Sequence, residues 1–290
     1  MTPQVLLTND DGIESPGLAA LYEELRAVAE VTVVAPADNQ SGVGRARSRA
    51  VDVSDHEWGY VVDGTPADCA VYGVEGLDTE FDLVVSGCNL GPNCGEYVMG
   101  HSGTVGAAVE AGFLGVPGLA VSGYHREEFF PPAEFTYDVP ATATRRLVTA
   151  GLDRGVFERV DYLSVNAPVE AETRYRVTRP LADYDAGVRE ATEAEREEGD
   201  GNVRLDTDYW AVVTREERYP SLAAADVNYP AWSDRAAVVD GEISVSPLRV
   251  PQEPVHDAAV DRLVVACNEA ATDEVATDEV ATDEARTSSE

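Results

Sequence analysis

A chain of 290 residues with 44% apolar content is long enough to bury a full core, and its formal charge of −33 sets 54 acidic residues against 21 basic ones. Every basic residue is arginine; a lysine-free, carboxylate-rich surface suits folding in concentrated salt, and its field repels a nucleic-acid backbone, which excludes nucleic acid as a partner. No apolar stretch is long enough for a membrane span and no basic-then-apolar leader opens the chain, so the expectation is a halophilic, cytoplasmic protein with no membrane partner, whose four cysteines are buried thiols rather than a disulfide framework.

Taken in chain order, Val5-Leu6-Leu7 reads as a buried strand that ends in Thr8-Asn9-Asp10-Asp11-Gly12. Pro16-Gly17 then opens a helix whose Leu18, Leu21, Leu25 and Val28 share one stripe, and residues 31–34 form a second strand leading into Asn39-Gln40-Ser41-Gly42. Residues 81–85 read as a third buried strand, followed by Ser86-Gly87-Cys88-Asn89-Leu90-Gly91. A small-residue helix over 104–114, a strand over 118–121, a helix over 141–152 and a strand over 162–165 continue the alternation. Such alternation predicts an α/β fold with a mostly parallel sheet and helices on both faces.

Beyond Pro168 the texture changes. Strands are expected at 174–177, 209–213 and 243–248, separated by acidic or proline-bearing loops and forming a C-terminal extension of antiparallel strands and hairpins. A closing amphipathic helix is expected over 256–266, with Val260, Leu263 and Val264 apolar. Ala271-Thr272-Asp273-Glu274-Val275 is repeated at 276–280 and nearly repeated at 281–285, an acidic composition that favours disorder. The expected organisation is a metal- and phosphate-binding core over 1–168, an extension with hairpins and the closing helix over 169–269, and a tail over 270–290.

Three predicted strands thus end in short oxygen-bearing residues, and in an open parallel sheet the carboxyl ends of strands line one crevice. Asp10 and Asp11 can direct one carboxylate at a divalent ion and the other at substrate or at supporting donors. Ser41 and Asn89 supply neutral oxygens suited to a hard cation such as magnesium or manganese. Two carboxylates against one divalent ion leave the ion able to attract a phosphate. Further along, Ser102-Gly103-Thr104 runs into the small-residue helix, where unpaired amides and hydroxyls make an anion cradle, although Ser or Thr also serves as an ordinary helix cap there. The four histidines, His101 included, show no paired ligand spacing, and the missing lysine rules out a P-loop.

Several ordered motifs together resemble the SurE (survival protein E) family of metal-dependent 5′-nucleotidases. They are Leu7 to Ile13, Ala35-Pro36 with Asn39 to Gly42, Asp63-Gly64-Thr65-Pro66-Ala67-Asp68-Cys69, Ser86 to Asn93, Ser102 to Val105, Val165-Asn166-Ala167-Pro168 and Ile243 to Leu248. The resemblance implies a Rossmann-like core, a C-terminal portion used in homodimer or homotetramer contacts, and one divalent metal on Asp10, Asp11, Ser41 and Asn89. It also implies hydrolysis of nucleoside 5′-monophosphates. His101 stands where the family commonly has tyrosine, and the acidic tail has no counterpart in the family pattern.

On this reading Asp10 and Asp11 are the catalytic residues, with Asp10 orienting or deprotonating water or itself attacking phosphorus, while Asn93, Ser102, Gly103 and Thr104 bind phosphate. A non-hydrolytic, metal-dependent nucleotide-binding module is the alternative. A haloacid-dehalogenase-type phosphatase is disfavoured because it would place its two aspartates with one residue between them, whereas Asp10 and Asp11 are adjacent.

Overall fold

The computed structural model of the chain describes residues 2–126, 131, 134–171, 173–182, 185–197, 201–208, 229–250, 258–260, 262 and 264–265. The expected strand at 209–213 and the acidic tail lie outside them. Residues 1–250 form one compact unit and 251–290 a second.

The first unit is built on a twisted sheet begun by β1 (Gln4–Thr8), α1 (Pro16–Leu25) and β2 (Glu30–Pro36). The Ser15 side chain caps α1 by accepting the Leu18 N–H, and Pro16 supplies a φ already set for a first helical turn. Leu18, Leu21 and Leu25 bury the predicted stripe, and the helix stops short of half-buried Val28. A hairpin follows, β3 (Asp52–His56) and β4 (Gly59–Asp63), and then α2 (Pro66–Gly76), which opens on a full capping box between Thr65 and Asp68. After it come β5 (Leu83–Leu90), α3 (Glu96–His101), α4 (Gly103–Phe113), β6 (Gly118–Tyr124), α5 (Asp138–Asp153) and β7 (Tyr162–Pro168).

From β4 through β7 the neighbours are parallel, in the order β4-β2-β1-β5-β6-β7, with β3 added antiparallel at one edge. The continuous apolar run of β1 places successive side chains on the two faces of the sheet, both of them covered. Val5 and Leu7 join Leu18, Leu21, Ala141 and Val148 in a core under α1 and α5, while Leu6 packs with Cys69 and Ala111 under α2 and α4. The expected α/β fold with helices on both faces is what forms.

The extension contributes β8 (Tyr175–Val177), β9 (Asp185–Glu190), α6 (Glu193–Glu197), β10 (Val203–Asp208), α7 (Asp234–Val239) and β11 (Ile243–Leu248). Strands β9 and β10 pair as an antiparallel ribbon that exposes Val188 and Leu205. Strand β11 runs antiparallel beside β7 and carries β8 on its far side, so among the described residues the sheet has nine strands and ends β7-β11-β8. In the second unit, residues 258–260, 262, 264 and 265 are helical, with Val260 and Val264 exposed; Leu263 lies outside the described residues.

Candidate active site

The chain turns from one side of β1 to the other between β2 and β5, so the crevice beyond the carboxyl ends of β1 and β5 is a topological switch point, where open α/β sheets bind ligands. Each strand ending there delivers one of the predicted segments.

Asp10 and Asp11 follow β1 in a turn that Gly12 closes with φ 96°, a conformation that suits glycine. Asn9, buried just before them, pins the turn: its amide nitrogen donates to the Gly12 carbonyl and to Ser15 Oγ, both at 2.8 Å. The segment after β2 reaches across, with the Gln40 N–H donating to the Asp10 carbonyl at 2.6 Å and Asn39 Nδ2 to Asp11 Oδ1 at 3.1 Å. Asn39 Oδ1 in turn accepts the Ser41 N–H at 2.9 Å, which places exposed Ser41 at the rim. The end of β5 closes the third side, where the Leu90 N–H donates to Asp11. Half-buried Asn89 spends its amide nitrogen on the Gly91 carbonyl at 2.7 Å, which leaves the side-chain oxygen for another partner.

Helix α4 delivers the remaining segment. Ser102 is its N-cap, Oγ accepting the Val105 N–H at 3.1 Å, and Thr104 Oγ1 donates to Asp10 Oδ1 at 2.6 Å. The first turn of α4 therefore lies directly against Asp10. Gly103 makes this approach possible, since a Cβ there would stand 2.8 Å from Asp10 Cβ and 3.0 Å from its Oδ2. Asn93 is buried nearer the β6–β7 side: its N–H donates to Asn166 Oδ1 at 2.8 Å and its Nδ2 to Ser122 Oγ at 2.9 Å. His101 sits on the last turn of α3, with Nδ1 2.9 Å from the Tyr97 carbonyl oxygen, and its own carbonyl accepts the Gly44 N–H.

Burial raises Asp10 above the ordinary carboxylate range, and the Thr104 hydroxyl together with backbone donors only partly offsets this. Burial and then the charge of Asp10 push Asp11 up to about 6. Two adjacent carboxylates held this way resist full ionisation unless a cation joins them. Among the described residues no three His, Cys, Asp or Glu side chains cluster for a metal, so a cation at this pair would need neutral oxygens as well. Asn89 and Ser41 present such oxygens, and the donor set, all hard oxygen, fits magnesium or manganese.

Arg45, Arg47 and Glu110, which no motif in the sequence marks, brace this geometry from behind. Arg47 Nε donates to Asp68 Oδ1 at 3.0 Å and its Nη1 to Glu110 Oε1 at 2.6 Å, while Arg45 Nη1 reaches Glu110 Oε2 at 3.2 Å. These pairs tie the segment after Ser41 to α2 and α4. The capping box at Thr65 was a readable signal for α2; nothing local in the sequence announces the pairing of Arg47 with Glu110.

A family model described as Survival protein SurE matches residues 5–186. The 5′-nucleotidase SurE of Halobacterium salinarum (strain R1) is 47% identical over 264 residues, covering 89% of this chain and 96% of that protein. The 5′-nucleotidase SurE of Haloarcula marismortui is 46% identical over 269 residues, covering 90% and 94%. The crystal structure of the SurE protein from Aquifex aeolicus aligns with a TM-score of 0.68 at 32% identity, covering 87% of this chain and 95% of that one.

Proposed function

The chain belongs to the survival protein SurE family, and from that premise we propose that it is a metal-dependent 5′-nucleotidase, hydrolysing nucleoside 5′-monophosphates to nucleoside and phosphate. The observation that carries the reading is the meeting of a buried carboxylate with a helix N-terminus: Thr104 on the first turn of α4 touches Asp10. A phosphoryl group bound at that turn stands next to a side chain able to act on it.

Asp10, Asp11, Ser41 and Asn89 would hold one divalent ion, magnesium or manganese, which when bound supplies charge neutralisation for phosphoryl oxygens and for the developing negative charge. The start of α4 around Gly103 and Thr104, whose amides point at Asp10, draws the phosphoryl group through the positive end of the helix dipole, and the Ser102 hydroxyl adds a donor. Asn93, fixed by Asn166 and Ser122, orients the phosphate through the remaining N–H of its side-chain amide. Asp10 takes a proton from the attacking water. The Thr104 hydroxyl holds the carboxylate in one orientation for that transfer. Asp11, shared between Asn39 and the Leu90 N–H, stays in place as Asp10 turns over.

The same reading includes assembly into a homodimer or homotetramer, supported by the apolar residues that the β9–β10 ribbon exposes, Val188 at 73% and Leu205 at 77%. It also places the protein in the cytoplasm; no described helix is long and apolar enough to cross a membrane.

Phosphate release from 5′-AMP in roughly molar potassium chloride, where surface charge is screened, tests the proposal. Activity that requires magnesium or manganese, and that disappears with chelation and with Asp10→Asn, supports it. A folded protein that binds nucleotide and releases no phosphate from any monoester is instead a binding module.

A further inference from the structure

Next to Asp11 the crevice opens into a cavity of about 590 Å³ whose walls include Pro16, Asn39, Leu90, Phe135 and Tyr137. That volume falls within the ordinary range for small-molecule sites, about 300–1,000 Å³. We infer that this cavity seats the nucleoside of the substrate, with the base lying against the ring of Phe135; the inference rests on the nucleotidase reading and adds the second half of its substrate site.

Shape and charge both point this way. Tyr137 is buried and meets Phe135 edge to face, ring centroids 4.8 Å apart at 67°, so the Phe135 ring is braced from behind while remaining only half-buried. Leu90, at the carboxyl end of β5, is 42% exposed and lines the same cavity, so a planar base laid across it and Phe135 would cover both. The polar residues on the cavity wall include Glu14 and Asp38, whose carboxylates repel a phosphate and accept hydrogen bonds. Ribose hydroxyls and exocyclic amino groups are donors that suit such a rim. The two ends of a nucleotide therefore sort themselves: phosphate to the first turn of α4 beside Asp10, nucleoside to the cavity lined by Leu90 and Phe135.

The test compares kcat/KM for 5′-AMP and for ribose 5-phosphate, which carries the same phosphoester and sugar but no base, in the native chain, Phe135→Ala and Phe135→Leu. Stacking of a base on an aromatic ring predicts that Phe135→Ala lowers kcat/KM for 5′-AMP about tenfold or more, chiefly through KM, with ribose 5-phosphate changed less than about twofold. Phe135→Leu, which keeps apolar bulk and loses the aromatic face, falls between. Equal losses on both substrates, or no loss on 5′-AMP, overturn the assignment. Calorimetric binding of adenosine reads the cavity without turnover. Binding by the native chain that Phe135→Ala weakens supports the cavity even if no phosphoester is hydrolysed, in which case the nucleotidase reading alone fails; equal binding by both proteins, or binding by neither, sinks the cavity.

Discussion

Replacing Asp11 by asparagine is expected to stabilise the metal-free protein, although it removes a proposed metal ligand. Burial and the neighbouring charge of Asp10 push Asp11 from an ordinary 3.8 up to about 6, so the folded state binds this proton more tightly than the unfolded one. The sign follows directly: below about pH 4 the group is protonated in both states and contributes nothing, stability falls as pH rises through about 4 to 6, and the full penalty is present above that window. At about 1.4 kcal/mol per pH unit the penalty reaches on the order of 3 kcal/mol. Asn keeps the shape and an oxygen to accept from the Leu90 N–H and Asn39 Nδ2, so Asp11→Asn should recover about 2 kcal/mol near pH 7.5 and less than about 0.5 kcal/mol near pH 4. Urea titrations in concentrated potassium chloride with a chelator measure both values. With manganese added at about a hundred times its dissociation constant the native chain gains about 2.7 kcal/mol and the variant gains none, so the order of stability reverses. A metal-free variant less stable than the native chain near neutral pH, or a difference of equal size at both pH values, refutes the argument that burial beside Asp10 destabilises the Asp11 carboxylate.

Thr104→Val keeps volume but removes the hydroxyl that lies 2.6 Å from Asp10, and should lower kcat about tenfold to a hundredfold. Because burial raises Asp10 and this hydroxyl works against it, the acid limb of the pH–rate profile should also move to higher pH. Gly103→Ala forces a Cβ within 2.8 Å of Asp10 Cβ; circular dichroism should stay native while activity falls about a hundredfold or more. Asp234 is 1% exposed and accepts N–H groups from Gly95 at 2.6 Å and Arg235 at 2.8 Å, so Asp234→Ala should cost about 3 kcal/mol or more, read by urea unfolding. Dilution from about 1 M to 0.1 M salt lengthens the screening distance from about 3 to 10 Å, and with a charge of −33 the melting temperature should fall steeply over that range.

Where the chain advertised its structure, the cause was local. Val5-Leu6-Leu7 and Leu83-Val84-Val85 are buried on both faces of a parallel sheet, so they read as continuous apolar runs, and the stripe of α1 has one face to bury. Asp10, Asp11, Ser41 and Asn89 were visible as candidates because each lies just beyond, or at the very end of, such a run. Strand β3 was not visible: its residues 52–55 are exposed and hold no apolar alternation, so its pairing with β4 comes from the backbone ladder. The brace of Arg45 and Arg47 on Glu110 joins residues more than sixty positions apart, and only the packing of α2 on α4 brings them together. Phe135 sits in a short segment ahead of α5 without a periodic pattern, and its place beside Asp11 follows from α5 packing on α1.

The placement of β11 has a consequence for the order in which the chain can assemble. Among the described residues strand β8 pairs only with β11, and β7 presents an open edge until β11 arrives, although β7 and β8 leave the ribosome about sixty residues or more earlier. At a synthesis rate of roughly 5–20 residues per second that edge stays bare for several seconds, a flat row of unpaired donors and acceptors beside a largely completed parallel sheet. A chain stopped short of Ile243 would therefore hold the proposed catalytic crevice and still carry the seam along which nascent copies stick to one another.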